Sequence, residues 1–199
     1  MEFRDVLRRR KMVRTFEGGP IDPEVVGRIL SHGQRAPSAG FTQGFAFLVF
    51  DGIEETRSFW EAASTGGDDE TILATVRDAP LVIVPLASKQ AYLDRYAEQD
   101  KGWADRAEAR WPAPFWFIDA AFASMLILLT AVDEGLGALF FGLHPPAVPT
   151  FKRSFGVPGD WEPIGAIAVG RPAPVDPVPS SRDTRPRKKL EDVVHRGRW

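Results

Sequence analysis

An α+β fold is what this chain of 199 residues predicts. Three observations point to it. Short apolar runs at residues 45–50, 79–86, 138–141 and 164–169 read as strands. Helical spacings lie between them without strict strand–helix–strand alternation. The composition, 44% hydrophobic and 26% charged, is that of a soluble globular chain, and its length suits one domain with a real core.

The elements follow in order. Residues 3–10 read as a short helix with Phe3, Val6 and Leu7 on one face. Gly18-Gly19-Pro20 breaks the chain. Asp22 then caps a helix that has Pro23 at its first position and Val25, Val26, Ile29 and Leu30 at helical spacing. Residues 36–40 are loop, and the strand at 45–50 closes on Asp51-Gly52. Residues 54–63 read as helix and 65–69 as a turn. Leu81-Val82-Ile83-Val84 has the continuous apolar character of a strand buried on both faces. Residues 88–114 are polar and aromatic, with Tyr92, Tyr96, Trp103 and Trp111, and read as an insertion or substrate lid. Residues 119–134 form a helix apolar nearly all round, expected to be buried on every side and ended by Gly135. After Gly170 a proline-rich arm begins, with Pro172, Pro174, Pro177 and Pro179 favouring extended structure.

Composition narrows the function. The net charge of -2 argues against general nucleic-acid binding. The chain has no cysteine, which removes disulfides, thiolate metal sites and thiol nucleophiles. His32, His144 and His195 are scattered, and no metal-ligand spacing appears. Asp68-Asp69-Glu70 reads as a solvated turn or helix cap. The N-terminus is charged from Glu2 onward, and the longest apolar stretch, 120–132, is short for a bilayer. A cytoplasmic protein without a membrane partner is expected.

Charge is segregated within the chain. Arg8, Arg9, Arg10, Lys11 and Arg14 put five cations in seven residues near the start. Arg182, Arg185, Arg187, Lys188 and Lys189 put five in eight near the end. Guanidinium forks match phosphate oxygens, so an anionic ligand held by both termini is one reading, and two solvated ends the other. An extended arm could carry the second cluster to a site on another subunit, with Leu190, Val193, Val194 and Trp199 as its anchor. Gly135-Leu136-Gly137 lacks the strand–loop–helix order and the third glycine of a dinucleotide fingerprint; it reads as a helix stop and tight turn, or as close backbone approach to a flat ligand.

The order of these segments resembles the FMN-dependent nitroreductase family. The resemblance runs from the basic cluster with Arg14-Thr15-Phe16, through Pro37-Ser38 and Gln43, to the apolar helix entering Gly135-Leu136-Gly137 and the terminal Arg/Lys arm. It implies a single nitroreductase-like domain over 1–199, with a mixed sheet flanked by helices, an insertion at 88–114 and a C-terminal arm at 171–199. It further implies an intertwined homodimer with FMN at the subunit interface. Arg10, Lys11 and Arg14 match early flavin-binding positions. Pro37, Ser38, Ala39 and Gln43 match a loop reaching the flavin from the other subunit. Phe141 and Gly142 match the segment whose backbone N–H approaches flavin N5, and Arg185 or Arg187, with Lys188, matches the late phosphate cations. No side-chain acid or base is implied, since the flavin carries the chemistry.

The implied activity is hydride transfer from NAD(P)H through FMN to an electron-poor acceptor such as a nitroaromatic or quinone. Phe41, Phe115 and Trp116 are candidate substrate residues. Met12, Phe41 and Gly44-Phe45 depart from the family's usual Ser, Asn and Pro-Trp. Those departures leave open a specialised flavin reaction (a dehydrogenase, a dehalogenase or use of a deazaflavin) or a non-enzymatic flavin-storage protein.

Overall fold

The computed structural model describes residues 1–63, 75–175 and 184–199. The expected turn at 65–69, the acidic run Asp68-Asp69-Glu70, and Pro177, Pro179 and Arg182 lie outside the described residues.

Strand β3 (Leu81–Ala87) is buried along its whole length and sits between β2 (Phe45–Asp51) and β6 (Ala166–Pro172). Strand β4 (Gly137–Phe141) pairs with β6, β1 (Phe16–Glu17) with the end of β6, and β5 (Glu162–Pro163) with the end of β3. All these ladders are antiparallel, and the parallel pairing comes from the N-terminal segment. A parallel bridge from Met12 to Ala138 adds the N-terminal segment beside β4.

The strand period of two sends side chains to two cores. Val82 and Val84 join Phe50, Phe59, Trp60 and Phe151 on one face, under α3 (Ile53–Ala63) and α6 (Val148–Ser154). Leu81 and Ile83 join Ile29, Ile127 and Leu128 on the other, under α2 (Pro23–Gln34) and α5 (Phe115–Asp133). The short α1 (Phe3–Arg9) packs beside α5, and α4 (Lys89–Ala97) covers the start of β2.

Local rules set the ends of the major helices. The Asp22 carboxylate accepts from the Glu24 N–H at 2.8 Å, with Pro23 at the first position. Helix α5 stops at Gly135, whose φ of +76° suits glycine. There the Gly135 N–H donates to the Val132 carbonyl and the Leu136 N–H to that of Ala131, the paired bonds of a Schellman stop. This end is then tied down by ion pairs: the Met1 ammonium meets Asp133 at 2.6 Å, and Arg28 grips Glu134 with two bonds of 2.8 and 3.0 Å.

Helix α5 departs from expectation in two ways. It begins at Phe115, four residues before the sequence reading, so at 19 residues it is long and apolar enough by length alone to cross a membrane. It is also not buried on every side. Ala120, Ala123, Ile127 and Ala131 face the core, but Phe117, Phe122 and Met125 remain 42–47% exposed on the chain's own surface.

The glycines after α5 serve packing. A Cβ on Gly137 would lie 2.7 Å from the Val13 side chain, which is buried. Replacing Gly137 with Ala is expected to destabilise the fold by about 1–3 kcal/mol through overpacking. A lower urea midpoint with an unchanged denaturant slope would confirm it.

Candidate flavin-nucleotide site

The first basic cluster lies along the outer edge of β4. Besides the Met12 bridge, the Val13 N–H donates to the Ala138 carbonyl at 3.0 Å. Arg9, Lys11, Val13 and Gly137 line a cleft of about 150 Å³ there. Among the described residues Arg10 and Lys11 form no ion pair with a carboxylate, whereas Arg28, Arg57, Arg95, Arg106 and Arg110 each do. Arg14 is half-buried in the same segment. At the far end of β4 the Phe141 side chain turns into the core and stacks on Trp60 at 5.6 Å, so this residue offers a ligand only its backbone. Gly142 follows, exposed, with open space where a Cβ would stand.

The loop from Pro37 to Gln43 is built differently. Gly40, Phe41 and Gln43 all have φ between +53° and +63°. For Phe41 and Gln43 that region carries strain of about 1–3 kcal/mol each. Internal bonds offset part of it: the Phe41 N–H donates to the Ser38 carbonyl and the Gln43 N–H to Ser38 Oγ, both at 2.9 Å. The anchor beneath is Asp119, 2% exposed. Its Oδ2 accepts from the Ala39 N–H at 2.8 Å and from the Tyr92 hydroxyl at 2.6 Å. Burial, and then this hydrogen bond, push the Tyr92 phenol far above its usual range, so it stays a neutral donor.

Sequence reasoning missed Asp119 as a site residue and took it only as the start of a helix. The available signal was a carboxylate with apolar residues on both sides, which must be paired if buried. The reading of 88–114 as a lid is corrected at several positions. Tyr92 is fully buried, and a Cβ on Gly44 would lie 2.4 Å from its ring. Tyr96 lies directly behind Gly40 and meets Trp111 at 4.4 Å and Trp103 at 4.8 Å. Trp116 is 6% exposed inside the same aromatic cluster, and Phe115, half-buried, packs against that cluster. Of the three substrate candidates Phe41 is the most open, at 75% exposed.

The two parts stand at opposite ends of α5. Asp119 holds the loop at one end, while the Met1–Asp133 ion pair and the Met12 bridge to β4 hold the N-terminal basic segment toward the other. Fourteen helical steps separate Asp119 from Asp133, a rise of about 21 Å. The described end of the arm, 184–199, is exposed throughout. Its Leu190, Val193, Val194 and Trp199 are 44–99% exposed rather than packed on their own chain, and Arg185, Arg187 and Lys188 form no carboxylate ion pair among the described residues. His32 bonds Thr130 Oγ1 through Nδ1 at 3.0 Å, which ties α2 to α5.

Acid should loosen the loop through Arg95. Its Nε donates to the Gly40 carbonyl at 3.2 Å, and its other nitrogens hold Asp100 at 2.6 and 2.7 Å. The Arg95 hydrogen bonds keep the Asp100 carboxyl below the ordinary carboxylate range. The stabilisation is therefore present above about pH 4 and is lost as pH falls through the lower folded value. Trp103 and Trp111 pack against Tyr96, the residue after Arg95, and report on this segment. Asp100→Asn is expected to show at neutral pH the tryptophan emission that the unsubstituted chain reaches only below about pH 4.

Comparison with known proteins agrees with this architecture. Residues 7–171 match the profile of the nitroreductase family. A protein of Methanothermobacter thermautotrophicus named as an NADH dehydrogenase/NAD(P)H nitroreductase is 26% identical, over 100% of this chain and 88% of its own length. An NADPH-dependent oxidoreductase of Staphylococcus aureus is 24% identical, over 98% of this chain and 73% of its own. The fold is shared with a nitroreductase of Exiguobacterium sibiricum solved in complex with FMN, at a TM-score of 0.75 and 20% identity, covering 98% and 97% of the two chains. A second FMN complex, from Desulfovibrio desulfuricans, gives 0.69 at 23%, covering 98% and 95%. This chain belongs to the nitroreductase family of oxidoreductases.

Proposed function

We propose that the protein is an FMN-dependent oxidoreductase that takes hydride from NAD(P)H and reduces an electron-poor acceptor such as a nitroaromatic or quinone. The observation that carries the proposal is the pair Arg10-Lys11 at the head of β4, which forms no carboxylate ion pair among the described residues, with an exposed, unobstructed Gly142 at the strand's far end. The family match over 7–171 supports it.

The residues present fit such a cofactor. Arg10, Lys11 and Arg14 would hold the phosphate, which carries about two negative charges and suits guanidinium forks. Gly142 would present its backbone N–H to the ring, since no side chain stands in the way. Pro37, Ser38, Ala39 and Gln43 would line the ring system from a second copy, and Arg185, Arg187 and Lys188 would close on the phosphate. When bound, FMN supplies reversible hydride acceptance and donation. The chain's part is to hold it, orient it and keep one face open to exchanging partners.

The same geometry supports a homodimer. The loop and the basic segment are about 21 Å apart along α5 of one chain. The exposed Phe122 and Met125 lie on that helix between them, and Phe117 lies just before the loop's anchor. A second copy placed on this stripe covers apolar surface and brings one chain's loop toward the other's cations. The arm, exposed and apolar at its tip, supports the same assembly. We place this chemistry in the cytoplasm, where NAD(P)H is available.

The purified protein is expected to show a flavin absorption spectrum that bleaches anaerobically on adding NADH or NADPH. A colourless protein that cannot be loaded with FMN would sink the proposal. Arg10→Ala and Arg187→Ala are each expected to weaken FMN binding at least tenfold, since a charge-assisted bond contributes about 1.5–3 kcal/mol. Phe122→Glu is expected to shift the protein toward monomer in size-exclusion chromatography and to lower its FMN content.

A further inference from the structure

The loop carrying Phe41 is held far more firmly than a connector needs. Phe41 has φ of +53°, a region that side chains with a Cβ rarely adopt. Four independent restraints impose it. Asp119 Oδ2 accepts both the Ala39 N–H and the Tyr92 hydroxyl. The Arg95–Asp100 fork holds the Gly40 carbonyl. Gly40 and Gly44 lie so close to Tyr96 and Tyr92 that a Cβ would fall 2.8 and 2.4 Å from those rings. Ser38 fixes the Phe41 and Gln43 amides.

Holding Phe41 in this way gives nothing back to the fold. The ring is 75% exposed, although a buried aromatic is among the largest apolar contributions a residue can make. Strain maintained by converging restraints, with an exposed aromatic as its product, is the signature of a ligand-facing element. The aromatic segment behind the loop is correspondingly a fixed buttress: Tyr92 and Trp116 are core residues, and the rings of Tyr92, Tyr96, Trp103 and Trp111 lie within 4.4–5.8 Å of their neighbours in that group.

We propose that Phe41 is a rigid stacking platform that selects planar, electron-poor aromatic acceptors, and that Asp119 is the positioning residue that holds it in place. This rests on the reading above, in which the Pro37–Gln43 loop faces the flavin. An aromatic ring on a preorganised loop gains offset-stacking contact with a flat acceptor and loses little conformational entropy in doing so. A compact, non-planar acceptor gains nothing from it.

The test compares KM for 2,4-dinitrotoluene, a planar acceptor, with KM for ferricyanide, an octahedral one, in the FMN-loaded protein. Phe41→Asn removes the ring at a position Asn tolerates. It is expected to raise the dinitrotoluene-to-ferricyanide KM ratio at least fivefold, while raising the melting temperature of the FMN-free protein by about 2 °C through relief of strain. These opposite signs separate a substrate role from a structural one. Asp119→Ala is expected to raise the same KM ratio and to speed hydrogen exchange of the Ala39 amide at least tenfold. Asp119→Asn should recover most of both, because a single amide oxygen can replace Oδ2, which now accepts both bonds. An unchanged KM ratio in Phe41→Asn protein that still binds FMN and is reduced by NAD(P)H would overturn the platform and leave the flavin reading standing. Failure of the unsubstituted protein to bind FMN would overturn both.

Discussion

Burying β3 on both faces requires a helical layer on each side of the sheet, and the candidate site depends on the layer built around α5. Ile127 and Leu128 seal that face, and α2 is drawn close enough that a Cβ on Gly33 would sit 2.8 Å from Ile127. The helix cannot slide or tilt without breaking this close-packed contact. Its start therefore fixes where Asp119 holds the loop, and its Schellman stop fixes where β4 begins and where the basic segment can lie against it. Two groups of candidate site residues thus take their positions from opposite ends of one rigid element.

What could be read from sequence was governed by local chemistry. The Asp22 cap with Pro23 and the glycine stop at 135 are legible because capping is decided within a few residues. The run Leu81-Val82-Ile83-Val84 is legible because only a doubly covered strand buries every side chain. The role of Gly44 was not legible, since it exists to clear Tyr92, 48 positions away in the chain. The same distance hid the buttress: four aromatics in a polar stretch look like a lid until Tyr92 is found bonded to Asp119. The exposed stripe on α5 escaped notice for another reason. Composition shows that a helix is apolar all round, not whether its own chain covers every side.

The left-handed loop and the exposed stripe depart from good folding economy in the same sense. A large aromatic at positive φ and three apolar side chains facing solvent both lower the stability of an isolated chain. Native proteins tolerate such departures where function or assembly recovers the loss. Here both lie on or beside α5, one held by its first turns and the other along its length. The element that stabilises the fold is also the one that exposes its unfinished surfaces.

Electrostatics ties these surfaces together. The chain's net charge is -2, yet each end concentrates five cations within eight residues. Arg10 and Lys11 in the first cluster, and Arg185, Arg187 and Lys188 in the second, lack carboxylate ion pairs among the described residues. Two such clusters repel when brought to one place unless an anion lies between them. In a dimer whose arms converge on the basic segments, a phosphate would remove that repulsion at each site. Ligand binding and assembly would then be linked, each favouring the other by mass action. The same positive field would draw the anionic nicotinamide nucleotide toward the pocket, and added salt would weaken that attraction. Under the proposed assembly, a chain that is acidic overall but basic at both ends would couple cofactor retention, subunit pairing and donor capture through one distribution of charge.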